Sequence, residues 1–168
     1  MMNEKNTQDA EIRVAAPVID ADIPVCSEVM NALPDPSDPD QAVLINVPVM
    51  VDGLNYGDIV RVAPEDDFGV RRIIEVVVAS GHQHMLARVE EGEAQDLVSE
   101  LERMFPYWAL RFTLASDTLL CVSVHPHLDA DDVGATIAGW LAEDLEDAEE
   151  DVAMTFPCPS ELGRVAWA

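Results

Sequence analysis

The sequence predicts an α+β protein: a small curved β-sheet or partial barrel, followed by a ferredoxin-like sandwich of order β-α-β-β-α-β. Three observations predict it. Between residues 43 and 79, short Val- and Ile-rich runs alternate with the turn signals Asp52-Gly53 and Tyr56-Gly57-Asp58, with no helical period. From residue 84 onward the apolar period switches between strand-like and helix-like spacing in the order strand, helix, strand, strand, helix, strand. The hydrophobic fraction is 49% over 168 residues, enough for an ordinary core without metal or disulfides.

Taken in order, residues 1–42 read as an acidic, Pro/Asp-rich arm and linker. Residues 12–18 and 23–25 suit short edge strands, to which Pro17 and Pro24 confine them. The run Pro34-Asp35-Pro36-Ser37-Asp38-Pro39-Asp40 reads as linker by composition. Residues 43–81 form the small β element. It has an apolar run at 43–51 broken by Asn46 and Pro48, a strand at 59–62, an acidic loop at 64–69 and a strand at 71–79. Ser80-Gly81 then breaks the chain.

Residues 82–157 form the sandwich. A strand at 84–89 leads to a helix at 93–105, with Leu97, Leu101, Met104 and Phe105 at helical spacing and Pro106 as its stop. Strands at 110–114 and 120–124 make a hairpin about Ser116-Asp117. Asp129 is the expected N-cap of the second helix, with Asp131 and Asp132 where the macrodipole favours them. Val133, Ile137, Trp140, Leu141, Leu145 and Ala148 line one face of that helix. Val152, Met154 and Phe156 alternate as a last strand. Right-handed crossovers give the strand order 4-1-3-2, with both helices on one face and the other face open. Residues 158–168 are a tail whose Trp167 suits docking.

Residues Asn46-Val47-Pro48, Gly53, Gly57-Asp58-Ile59-Val60 and Ser80-Gly81-His82 resemble a family of small bacterial proteins, domain of unknown function 4265. The likeness covers roughly residues 43–156 and rests on the N-x-P, G-D-x-V and S-G-H segments and their spacing. It implies a fold and no activity, since it brings no catalytic motif.

Charge limits the function. Thirty-three acids against nine bases leave −24. A protein reading phosphates needs clustered Lys and Arg, and an anionic membrane repels such a surface, so neither nucleic acid nor membrane is expected as a direct partner. There is no basic segment before an apolar stretch at the start, and Cys26, Cys121 and Cys158 show no C-x-x-C spacing, so a cytoplasmic location with free thiols is expected. No G-x-G-x-x-G, P-loop, G-x-S-x-G or H-E-x-x-H occurs, so no catalytic residue and no cofactor is expected.

Three constellations stand out. Glu143, Asp144, Glu146, Asp147, Glu149, Glu150 and Asp151 crowd the end of a helix, where the dipole disfavours anions and like charges repel. This costs stability without a local return, and a dense acidic face steers basic partners. Glu65, Asp66 and Asp67 form a second acidic set. Salt adaptation or plain solubility accounts for the same composition more blandly. The pairs His82, His84 and His125, His127 fall at one end of the open sheet face, where imidazoles suit Zn, Ni or Cu. Four ordinary polar residues on that face are the plainer reading. Arg88, Arg111, Thr113 and Ser123 share the face and suit an anion or a peptide, unless the arm or the 43–79 sheet covers them.

The expected function is non-enzymatic: an acidic binding protein that engages a basic protein partner, most concretely an immunity or inhibitor protein neutralising a bacterial toxin. The alternatives are a nucleic-acid mimic that occupies a DNA-binding factor, a structural subunit of a larger assembly, and a His-lined metal or small-ligand module.

Overall fold

The computed structural model describes residues 11–18 and 27–143. Five strands close into a barrel in the order β1 (Ile12–Pro17), β2 (Ser27–Asp35), β3 (Asp38–Leu44), β4 (Ile59–Glu65) and β5 (Val70–Val78). Neighbours along the chain pair antiparallel, and a parallel pairing of Arg13–Ala15 with Val70–Arg72 closes the ring. Val14, Ala16, Met30, Ala32, Ala42, Leu44, Val60, Val62 and Ile73 are buried inside, at alternate positions along their strands. The small Ala side chains let a barrel this narrow fill without a void. Val51 and Leu54 enter the same core from the long connection between β3 and β4.

In the first half β4 and β5 lie at the strands expected at 59–62 and 71–79, but the segment before them departs from the sequence expectation. Residues expected to be an irregular arm hold β1, β2 and most of β3. Pro17 is the last residue of β1, Pro34 lies at a register shift of the β2–β3 pairing, and Pro36 sits in the turn between those strands. A missing N–H costs little at such places. The Asp residues make the turn: Asp35 Oδ1 accepts from the Ser37 N–H and hydroxyl, and Asp38 Oδ1 accepts from Asp40 N–H. The Pro/Asp run is therefore a hairpin tip, with side-chain oxygens standing in for backbone acceptors. Residues 12–17 pair with β2; residues 23–25 lie outside the described residues.

The second half follows the expected order. Strand β6 (Gln83–Arg88), helix α1 (Ala94–Met104), strands β7 (Leu110–Ser116) and β8 (Leu119–Val124), and helix α2 (Ala130–Glu143) succeed one another. The sheet order is β6-β8-β7, antiparallel throughout. Asp129 N-caps α2, its Oδ1 accepting from Asp131 N–H at 3.0 Å. Met85, Ala87, Leu120, Val122 and Val124 pack beneath Leu97, Val98, Leu101, Val133, Ile137 and Leu141 from the helices. The strand expected at 152–156 and the tail with Trp167 lie outside the described residues. Among the described residues no helix is long and apolar enough to cross a membrane.

The opposite sheet face is not open. The β3–β4 connection, residues 45–58, lies against it, with the Cys121 Sγ donating to Pro48 O at 3.1 Å and His84 Nδ1 3.0 Å from Asn55 Oδ1. Covering by the 43–79 segment is the outcome that the sequence left as the plainer alternative.

Candidate functional site

The junction of barrel and sheet gathers the unusual side chains. Its scaffold is a buried carboxylate, Asp58, with two half-buried anchors, Glu28 and Asn46. Asp58, 1% exposed, accepts from Asn55 N–H through Oδ2 at 2.8 Å and from Ser80 N–H through Oδ1 at 2.7 Å. Burial pushes its carboxyl up from the ordinary range, against the pull of those two N–H groups. Glu28 on β2 accepts from Val49 and Met50 N–H, and Asn46 Oδ1 accepts from Asn31 N–H. These bonds hold the 45–58 connection at both ends. Gly57, at φ +81°, lies so close to Ser80 that an added Cβ would stand 3.2 Å from the Ser80 Cβ. The G-D-x-V and S-G-H segments thus meet in space, while the N-x-P segment is tied to Asn31 and Cys121.

On this scaffold sit six side chains. His82 Nδ1 lies 3.0 Å from the buried Ser123 Oγ. Its ring is 5.3 Å from Tyr56 and 5.0 Å from His125, centroid to centroid. His125 in turn lies 5.2 Å from Trp108 and 5.0 Å from His127. The Arg111 guanidinium stands 5.6 Å over the Tyr56 ring, within cation–π reach. Five rings and one guanidinium therefore run as one series, drawn from the 45–58 connection, the approach to β6, the α1–β7 link, β7 and the end of β8.

Electrostatics set the protonation states. Burial, then the charges of His125 and Arg111, push the His82 imidazole down to about 4, so it is neutral near pH 7. Burial also lowers His84, while Asp52, Glu28 and Asp58 pull the other way. The Cys121 thiol is pushed up to about 12 by burial, with Glu28 adding to it, and so stays protonated and unreactive. Cys26 and Cys158 lie outside the described residues.

The four histidines do not converge as a set. His82, His125 and His127 are contiguous, whereas His84 is 7% exposed and engaged with Asn55 on the barrel side. Among the described residues no three His, Cys, Asp or Glu side chains are placed to hold a metal ion. Arg111 and Ser123 share a row of the sheet with His84, and Arg88 lies four positions further along β6, opposite Leu119. The two arginines are therefore apart. Of the first acidic set only Glu143 falls in a described element, as the last residue of α2; Asp144 to Asp151 lie outside the described residues. Glu65 ends β4 opposite Arg71, and Asp66 shapes the next turn by accepting from Phe68 and Val70 N–H. Asp67 is exposed beside Phe68, itself 83% exposed.

Sequence reasoning missed Tyr56, Asn55, Glu28 and the joining role of Asp58. The Tyr56-Gly57-Asp58 turn signal marked the place, but a turn residue followed by a strand gives no hint that its carboxylate is buried.

A strand-rich α+β fold with a closed barrel, a helix-covered sheet and a ring-lined junction defines the class. The chain belongs to the family described as Domain of unknown function (DUF4265), which matches residues 28–148. No curated protein matches the chain. A crystal structure of a hypothetical protein from Neisseria gonorrhoeae is similar in fold, with TM-score 0.61 and 17% identity over 80% of this chain and 89% of that one.

Proposed function

We propose that this chain is a non-enzymatic, cytoplasmic binding protein whose acidic surface engages a basic protein partner. In its most concrete form it is an immunity or inhibitor protein that neutralises a basic bacterial toxin. The observation that carries the reading is a charge of −24 in which several of the few bases are already committed. Arg61 pairs with Glu75, Arg71 with Asp40 and Arg103 with Glu100. Among the described acids, Glu65, Asp66 and Asp67 are exposed and would act on whatever approaches. A field of this kind raises association rates with basic proteins by about 10- to 1,000-fold at low salt. It disfavours nucleic acid and anionic membranes as direct partners.

Two surfaces are the proposed contacts. Glu143, Asp144, Glu146, Asp147, Glu149, Glu150 and Asp151 form the first. Glu65, Asp66 and Asp67 form the second, where the exposed ring of Phe68 supports the reading. An aromatic anchor ringed by charge is a usual composition for the centre of an interface. The sheet order β6-β8-β7, with two helices on one face, supports a ferredoxin-like layout for the second half, in which residues 152–156 would be the fourth strand.

The test is capture of partners from the native cells on tagged full-length protein at low and high salt, followed by assay of the captured protein's own activity. A basic protein that is released by salt, and whose toxic or enzymatic activity the chain inhibits, is the expected result. A DNA-binding factor displaced from its duplex by the chain would move the function to nucleic-acid mimicry. No specific partner at either salt would overturn both and leave salt adaptation as the source of the charge.

A further inference from the structure

Arg111 is one of four arginines, with Arg13, Arg72 and Arg88, that make no ion pair among the described residues, and its guanidinium stands over the Tyr56 ring. No carboxylate lies within ion-pair distance of Arg111 among the described residues, although acids outnumber bases 33 to 9 in the chain. Its Nη1 donates to the carbonyls of Leu110 and Tyr107, which fixes the head group above Tyr56. Beside burial, the fixed positive charge of Arg111 acts on neighbouring His82. His84, on the barrel side of the same face, feels Asp52, Glu28 and Asp58 instead. The junction is thus a locally electropositive, ring-lined spot on a strongly acidic molecule.

Its hydrogen-bonding sense is also fixed. His127 N–H donates to His125 Nδ1, so neutral His125 carries its proton on Nε2 and can donate there. Trp108, 43% exposed, contributes an indole N–H and a flat face. The available side-chain groups are therefore mostly donors and ring faces. A transition metal is a poor fit, because no three His, Cys, Asp or Glu side chains among the described residues are placed to hold one. A cation has no carboxylate in the ring series to meet it.

We propose that the Tyr56–His82–Trp108–Arg111–His125–His127 junction is a binding site for a small planar carboxylate of the aromatic acid class. The guanidinium fork matches a carboxylate, and the rings of Trp108 and His127 receive the planar body. The net charge of the chain does not forbid this. At physiological ionic strength the Debye length is about 8 Å, so distant acids are largely screened and the nearby donors decide. The inference does not depend on the basic partner proposed above.

The experiment titrates the full chain with benzoate, and separately with inorganic phosphate, at constant ionic strength, following the histidine ring and Trp108 indole signals by NMR. Benzoate is expected to give saturable shifts at His82, His125 and Trp108. Arg111→Gln should weaken that binding by at least about tenfold, a loss of about 1.4 kcal/mol. Arg111→Lys, which keeps the charge without the fork, should weaken it by a smaller factor. Thermal melts of both variants establish that they are folded. Should Arg111→Gln fail to fold, Trp108→Ala serves in its place and should weaken benzoate several-fold. Shifts that stay linear in benzoate, saturation by phosphate alone, or unchanged benzoate affinity in folded Arg111→Gln would each overturn the proposal.

Discussion

Asp58 shows how much one buried carboxylate organises here. Its two oxygens accept from two segments that belong to different halves of the chain, Asn55 before β4 and Ser80 before β6. An amide has one accepting oxygen, so Asp58→Asn must set its NH2 against one of those N–H groups. The expected loss is about 1–3 kcal/mol in urea unfolding; a loss near zero would mean that the junction is held elsewhere. Because burial raises its pKa, the folded state holds that proton more tightly than the unfolded state. The contribution of Asp58 is therefore greatest at low pH and falls as pH rises through the raised value. The two lowered histidines work in the opposite sense. From an ordinary value of 6.5 they are depressed, His82 to about 4, so the unfolded chain takes up protons that the folded chain refuses. Their share of stability is complete above about 6.5 and is lost as pH falls toward about 4. Carboxylate protonation relieves self-repulsion over the same range, so the wild-type melt alone mixes two trends. The stability difference between wild type and the His82→Gln, His84→Gln double variant separates them. It should move against the wild type as pH falls, and a pH-independent difference would contradict the burial assigned to both rings.

At the scale of elements, the second half was legible, and in the first half β4, β5 and the edge strand β1 were, while β2 and β3 were not. Strands β6, β7 and β8, helix α1 and the start of α2 lie within a few residues of their expected positions, because period and caps agree there. Residues 27–42 were misread because their prolines and aspartates look like linker. Their placement at a strand end, a bulge and a turn is a matter of pairing register, which composition does not contain. Barrel closure was invisible for the same reason, since the β1–β5 pairing joins segments more than fifty positions apart. The histidine cluster was half legible: strand spacing placed His82 and His125 together, but only the fold shows that residues 45–58 take His84 away. Glycine gives a test of the junction geometry. Gly57 and Gly92 both have positive φ, but only Gly57 faces a neighbour, the Ser80 Cβ. Ala at either site costs about 1–2 kcal/mol of backbone strain, and at Gly57 the close contact adds to it. Denaturant unfolding should therefore rank Gly57→Ala as the more damaging, and equal losses would argue against the close approach of Ser80.

The whole molecule is a barrel and a helix-covered sheet joined through a polar seam, carrying far more acid than folding requires. The helix N-termini absorb some of it favourably, through Asp96 in α1 and Asp131 and Asp132 in α2. The turn acids Asp35, Asp38 and Asp66 hold backbone N–H groups. Glu65 and Asp67 have no such structural duty among the described hydrogen bonds, and Phe68 stands exposed beside them. Phe68→Ala should change stability by no more than about 0.5 kcal/mol, as exposed sites do, while weakening partner binding measurably in a direct binding assay. The proposed function requires that acidic side chains, and not the fold alone, hold a basic partner. The most direct measurement compares the captured partner's affinity for wild type with that for a chain whose Glu143–Asp151 acids are replaced by Gln and Asn, across a series of salt concentrations. Wild-type affinity should fall with salt, and the replaced chain should bind more weakly with a shallower salt dependence. Equal affinity and equal salt dependence for the two chains would contradict the proposed function.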